Sequence, residues 1–219
     1  MNSTLDKIAL VTGASRGLGA AFAEDLAARG YHIIALARTT GALEELDDRI
    51  QSKGGSATLV PVDITNEDAL KQICLSIHTR WGHIDLWVHA AIHSPPLCPV
   101  SHMDEKDFDK SIATNVRATT RLIVNLDPLL KAAPDGRAIF FDDPLSIQKF
   151  HGTYGLSKAA QICSARSWGQ EAQNIGPQIH IVTPAPMPTA LRARFYPGED
   201  RDKLTSCNAE AARILTDLL

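Results

Sequence analysis

The chain has 219 residues, a net charge of −3 and an isoelectric point near 6.2, enough for one α/β domain with a full core and without the basic surface that nucleic acid or anionic lipid would need. No apolar stretch approaches membrane-spanning length, and Met1-Asn-Ser-Thr lacks a signal peptide, which together point to a cytoplasmic protein. Cys74, Cys98, Cys163 and Cys207 are isolated, with no Cys-x-x-Cys, and read as reduced thiols rather than bridges or metal ligands.

Lys7 to Thr12 is a short apolar run of buried-strand character. It leads into Gly13-Ala-Ser-Arg-Gly17-Leu-Gly19 and then a helical stretch, Ala20 to Arg29, closed by Gly30. Strand, glycine turn and helix form the arrangement that sets a pyrophosphate on a helix N-terminus, because glycines let backbone N–H groups approach phosphate oxygens with no Cβ in the way. The spacing is Gly-x-x-x-Gly-x-Gly, and no Gly-Lys-Ser/Thr follows to make a P-loop. His32 to Ala37 is the second predicted strand. Beyond it, helical patterns cover Gly41–Lys53, Glu67–Trp81, Lys106–Ala133 and Thr153–Gln173, and strands cover Ala57–Val62, Ile84–His89, Arg137–Phe141 and Gln178–Thr183. A last helix runs from an Asn208 cap to Leu219. Such alternation predicts a parallel sheet with right-handed crossovers.

Two loops follow strand ends, where ligands bind in such sheets. Ala91–Asp104 is rich in proline and histidine, and Pro184–Ser206 carries four prolines with Arg192, Arg194, Phe195 and Tyr196. The second is the expected substrate lid. His89, His93 and His102 flank the first loop, but their spacing matches no strong metal site, so no metal is expected. His151 reads as a surface-turn histidine. Tyr154 and Lys158 lie four residues apart, on one face of a helix. An ammonium beside a phenol favours tyrosinate and lowers the tyrosine pKa, which suits proton exchange with a carbonyl or alcohol near neutral pH.

The Thr12-Gly13-x-x-x-Gly17-x-Gly19 run, with Tyr154-x-x-x-Lys158 well along the chain, resembles the short-chain dehydrogenase/reductase family over nearly the whole length. The resemblance implies a Rossmann-like doubly wound parallel sheet in a single domain, residues 1–219, with a lid at 184–206. It implies a cofactor cradle from Thr12, Gly13, Ser15, Arg16, Gly17, Leu18 and Gly19, adenine contacts at Asp63 and Ile64, and contacts from His89 and Ala90 after the fourth strand. Pro184 and Thr189 would lie beside the nicotinamide. Asn115 resembles the asparagine that kinks the fourth helix and holds a relay water; Tyr154 would be the acid/base, and Lys158 would hold the ribose and tune Tyr154. Homodimerisation is a further family expectation. Where users of NAD carry an acid at the second strand end, this chain has Ala37 and Arg38. Arg38 can fork onto a 2′-phosphate, with Arg16 reaching it from the glycine loop, so NADP(H) is expected over NAD(H).

Three departures qualify the resemblance. Asp142 and Asp143 follow the fifth strand in place of the family's Ser-Ser pair, with Asp143 at the catalytic serine position and Ser146 as the nearest hydroxyl. Losing an oxyanion donor costs roughly 3–4 kcal/mol, and an ionised carboxylate about 4 Å away adds roughly 4 kcal/mol of repulsion at an effective dielectric near 20. A protonated aspartate would escape this by donating as serine does, but neighbouring strand residues face opposite sides, which argues against a proton shared by the two aspartates. Second, His89-Ala90-Ala91-Ile92 replaces Asn-Asn-Ala-Gly, so Ala90 removes a strand-tying amide and Ile92 adds bulk near the cofactor; His89 is expected at the strand end with its ring hydrogen-bonded. Third, nothing follows the last predicted helix, so the sheet is expected to stop at six strands. The leading expectation is an NADP(H)-dependent oxidoreductase acting on a small carbonyl or alcohol, with Asp143 at the serine position expected to impair it. The alternative is a non-catalytic dinucleotide-binding protein, a sensor or partner subunit.

Overall fold

The structure, a computed structural model, describes residues 7–219. Its strands are β1 Lys7–Thr12, β2 Tyr31–Ala37, β3 Ser56–Pro61, β4 Leu86–His89, β5 Arg137–Phe141 and β6 Gln178–Val182. Its helices are α1 Gly17–Ala28, α2 Thr40–Gln51, α3 Glu67–Trp81, α4 Glu105–Ser111, α5 Thr119–Lys131, α6 Gly152–Ala172, α7 Ala190–Phe195 and α8 Cys207–Leu218. All strand pairs are parallel, in the order β3-β2-β1-β4-β5-β6. The chain runs outward from β1 in one direction and then from β4 in the other. A cleft therefore opens at the carboxyl ends of β1 and β4, where the connecting segments diverge.

Both faces of the sheet are covered, which is why the central strands read as continuous apolar runs. Along β1, Ala9 and Val11 enter one core with Phe22 and Leu26 of α1, Leu46 of α2 and Ile214 of α8. Ile8 and Leu10 enter the other, with Ile77 of α3, Leu126 of α5 and Trp168 of α6. Among the described residues β6 is the last strand and an edge, and no helix is long and apolar enough to cross a membrane.

Two sequence expectations need correction. The single helix expected over 106–133 is interrupted: a π-helical turn, Ile112–Ala118, separates α4 from α5. The widened turn buries Asn115, whose side chain is anchored outside its own helix, and hydrophobic periodicity carries no mark of one extra residue in a turn. The last helix is capped by Ser206, not Asn208; the Ser206 hydroxyl accepts from the Ala209 N–H at 3.1 Å.

Close approach at the glycine turn fixes the mouth of the cleft. Gly13 has φ +73°, and a Cβ on Gly19 would stand 2.3 Å from the Gly13 carbonyl oxygen. Gly19→Ala is expected to lower the urea-unfolding free energy by about 2 kcal/mol. Gly41→Ala, where a Cβ would meet nothing within 4 Å, is expected to lower it not at all.

Candidate active site

A cavity of about 710 Å³ occupies the cleft, a volume in the range of small-molecule and cofactor sites. The glycine turn forms one end, where Gly13, Ser15, Arg16, Gly17, Leu18 and Gly19 line it. The Gly13 and Ala14 N–H groups both donate to the Leu36 carbonyl, at 2.9 and 3.2 Å, which locks the turn to the end of β2. Arg38, Asp63 and Ile64 form the adjoining wall. Arg38 approaches Asp63 only at 3.9 Å and is largely exposed, while Asp63 accepts from the Thr65 N–H and hydroxyl at 2.9 and 2.8 Å. Ala90 and Ile92 lie along the middle, and Pro184 and Thr189 open the expected lid.

Asp143, Tyr154 and Lys158 form the opposite wall, but not in the arrangement the sequence predicts. The Tyr154 hydroxyl donates to Asp143 Oδ2 at 3.0 Å. Lys158 is bonded elsewhere: its Nζ donates to the Phe141 carbonyl at 2.8 Å and to Gln161 Oε1 at 2.9 Å. Burial, followed by the charge and hydrogen bond of Asp143, pushes the Tyr154 pKa above the ordinary tyrosine range. The expected lowering by Lys158 is therefore overturned. Burial pulls the Lys158 ammonium down to about 8, against the opposing charges of Asp143 and Asp142. The two aspartates go separate ways: Asp142 pairs with Arg166 at 3.0 Å, while Asp143 Oδ1 accepts from the Leu145 N–H at 3.0 Å.

Behind this wall lies a chain of buried hydrogen bonds. Gln161 Nε2 donates to the Thr119 hydroxyl at 3.1 Å, and the His89 ring lies 2.9 Å from that hydroxyl and 2.8 Å from the Thr12 hydroxyl on its other side. His89 has the bonded ring expected of it, and the cross-strand tie lost at Ala90 runs through this ring. Thr12 is fully buried in the same chain and does not line the cavity, which corrects its place in the cradle. Asn115 does not line it either. Its amide donates to the His93 carbonyl at 2.8 Å and to Ser157 at 3.0 Å, and its oxygen accepts from the His93 N–H at 2.7 Å. This amide braces the loop after β4.

The segment 184–206 contains α7 and packs onto Tyr154. Phe195 is buried, its ring edge-on to Tyr154 at 4.9 Å and to His151 at 5.8 Å. His151 is itself buried, contrary to the expected surface turn. The arginines of this segment are engaged internally: Arg192 forks onto Glu199 at 2.5 and 2.6 Å, Arg194 donates to the Ser94 carbonyl and Arg201 to the Pro188 carbonyl. Thr189 caps α7. Glu210 of α8, nearly fully buried, accepts from the Ala185 N–H at 2.8 Å and anchors the start of this segment. Gln161 and Glu210 escaped the sequence reading, and Phe195 entered it only as part of the loop after β6. Only Gln161 left a signal there, three residues after Lys158 and therefore on the same helix face. Among the described residues no group of three or more His, Cys, Asp or Glu is placed to hold a metal.

The sequence matches the profile of the short chain dehydrogenase family over residues 7–200. The chain belongs to this family. A fatty acyl-CoA reductase of Acinetobacter baylyi is 34% identical over 134 residues, 61% of this chain and 45% of that protein, so the chain spans under half the length of that relative. The short-chain dehydrogenase/reductase FrzI of a Cladobotryum species is 30% identical over 195 residues, 87% of this chain and 74% of FrzI. A crystal structure of a short-chain dehydrogenase from Escherichia coli CFT073 complexed with NADPH is 27% identical and superposes with a TM-score of 0.85, covering 96% of this chain and 88% of that one.

In this short-chain dehydrogenase the buried His89 makes stability sensitive to acid. Burial, helped by the Lys158 charge, lowers the ring pKa to about 3, whereas an unfolded histidine takes a proton near about 6.5. Between those values the unfolded chain binds more protons than the folded one, so stability rises with pH across the window and is lost as pH falls through it. His89→Gln is expected to shrink the difference in urea stability between pH 7 and pH 5 by about 2 kcal/mol.

Proposed function

We propose that this protein is an NADP(H)-dependent oxidoreductase that moves a hydride between the nicotinamide and a small carbonyl or alcohol, with residues 184–206 as its substrate lid. The observation that carries the reading is the convergence of Tyr154, Lys158 and Asp143 on one wall of a cavity whose far end is the glycine turn. The turn suits a dinucleotide: Gly13 and Gly19 let the backbone fold tightly against Ala90, Ala91 and itself, which sets the start of α1 at the cavity. Arg16 and Arg38 stand at the rim, and Arg38, only loosely paired with Asp63, has a fork to offer a 2′-phosphate. The solved relative complexed with NADPH supports the same choice. When bound, the nicotinamide supplies or accepts the hydride.

The chain's own residues do the rest. Lys158 has spent two of its three N–H donors on Phe141 and Gln161, and the third is left for the ribose. Tyr154 exchanges a proton with the substrate, and Asp143 holds that phenol in place. Ser15, Leu18, Ile64, Ala90, Pro184 and Thr189 complete the cofactor contacts, and Asn115 positions the loop from which Ile92 and His93 reach the cavity. A homodimer through the outer faces of α5 and α6, where Val124 and Leu156 are uncovered, belongs to the same proposal. A second reading, dinucleotide binding without turnover, draws on the commitment of the phenol proton to Asp143.

Titration with NADPH and NADH tests the cofactor assignment: wild type is expected to bind NADPH at least about tenfold more tightly, and Arg38→Asp to remove that preference. A wild type preferring NADH would overturn it. In assays with aldehydes, ketones and diketones, Tyr154→Phe is expected to reduce turnover by about 100-fold or more. A wild type that binds NADPH yet turns over neither carbonyls nor imines, beside an Asp143→Ser variant that reduces carbonyls, would favour the non-catalytic reading.

A further inference from the structure

We propose that the bond reduced in this site is C=N in preference to C=O, so that the substrate is a small protonated imine and the reverse substrate an amine. The inference rests on the oxidoreductase reading above and narrows it. Its basis is the inventory of donors and acceptors on the reactive wall. The only hydroxyl proton of Tyr154 is given to Asp143 Oδ2 at 3.0 Å, and Asp143 Oδ1 is held by the Leu145 N–H at 3.0 Å. What these two side chains present to the cavity is lone pairs: those left on the carboxylate and those of the phenol oxygen.

Two neighbouring guanidinium groups are matched elsewhere, and the Lys158 ammonium acts on Asp143 only from beyond ion-pair distance. Arg192 forks onto Glu199, Arg166 pairs with Asp142, and Lys158 is bonded to Phe141 and Gln161. Among the described residues Asp143 has no ion-pair partner within 4.0 Å. The surroundings are apolar, with the buried Phe195 ring edge-on to Tyr154 at 4.9 Å and Met187 also buried beside the cavity. An unpaired carboxylate in such surroundings favours a cation that carries its own N–H donor. A carbonyl oxygen brings only lone pairs to a wall of lone pairs, and its reduction builds negative charge next to a carboxylate. A protonated imine brings both the donor and the positive charge.

The chemistry balances without an acid in the hydride step. The imine carbon accepts a hydride from a reduced nicotinamide dinucleotide, the C=N π pair becomes the nitrogen lone pair, and the N–H bond stays intact. The iminium charge is lost as the dinucleotide is oxidised and gains one positive charge. The proton that made the imine cationic comes from solvent, and the amine product takes another from solvent on release. Asp143 acts on the substrate nitrogen and keeps the imine in its protonated, reactive form.

The test pairs 3,4-dihydroisoquinoline with α-tetralone, a C=N and a C=O in similar fused rings, using wild type and Asp143→Ser with NADPH. Wild type is expected to show a kcat/KM for the imine at least a hundredfold above that for the ketone, and Asp143→Ser to reverse the order. Independently of turnover, calorimetry with 1,2,3,4-tetrahydroisoquinoline in the presence of NADP is expected to show at least tenfold weaker binding to Asp143→Asn than to wild type. A wild type that reduces the ketone faster, reduces neither compound, or binds the amine no better than Asp143→Asn overturns the assignment. NADPH titration separates the two failures: a protein that binds NADPH and reduces ketones loses only the imine assignment, whereas one that does not bind NADPH loses the oxidoreductase reading as well.

Discussion

The Tyr154 hydroxyl gives its proton to the Asp143 carboxylate across 3.0 Å, and the chemistry of the cleft is organised around that bond. A hydrogen bond to a charged group is worth about 1.5–3 kcal/mol in proteins. Here the backbone holds both partners in place. Asp143 begins a short 3-10 turn, Pro144–Ile147, and caps it with its own carboxylate. That turn lies against the start of α6 because Gly155 has no side chain; a Cβ there would stand 2.0 Å from the Ser146 carbonyl oxygen. The phenol, one residue before Gly155, is thereby brought against the aspartate.

With the phenol engaged, the lysine takes a different part. Its ammonium is the head of a buried chain of hydrogen bonds running through Gln161, Thr119 and His89 to Thr12 at the end of β1. A polar network satisfied at each step rigidifies the core around it. Thr12 adjoins Gly13, so the chain ties the reactive wall to the glycine turn in one frame. The segment 184–206 is tied within itself, through Arg192 and Glu199, and to the frame through Glu210 and the Ala185 N–H. The frame joins the reactive wall to the glycine turn, and the segment 184–206 places the buried Phe195 ring beside Tyr154.

Much of this was legible in the sequence, because local chemistry decides it. β1 and β5 are apolar runs bounded by turn residues, and α3 is closed by Asn66 and Gly82, so their limits coincide with those predicted. The glycine turn, Asp143 and the Tyr154–Lys158 pair were readable as residues at fixed spacings. Their mutual orientation was not. Two side chains four apart share a helix face, but whether the ammonium meets the phenol depends on the Phe141 carbonyl and on Asp143, both supplied by the β5 end. The π-helical turn and the burial of His151 likewise depend on contacts distant in sequence, with His93 and Ser157 in one case and Phe195 in the other. The lid arginines look like open surface charge until Glu199 and the backbone carbonyls that hold them are placed.

The lock on the phenol is open to direct measurement through the tyrosinate absorbance of the protein without added nucleotide, recorded against pH. The chain has three tyrosines, so subtracting the Tyr154→Phe curve isolates this one. With its proton held by Asp143 in a buried site, Tyr154 is predicted to ionise only above the ordinary tyrosine value of about 10, and Asp143→Ser to bring that ionisation down. A Tyr154 that ionises near neutral pH in the wild type, as a phenol activated by Lys158 would, contradicts it.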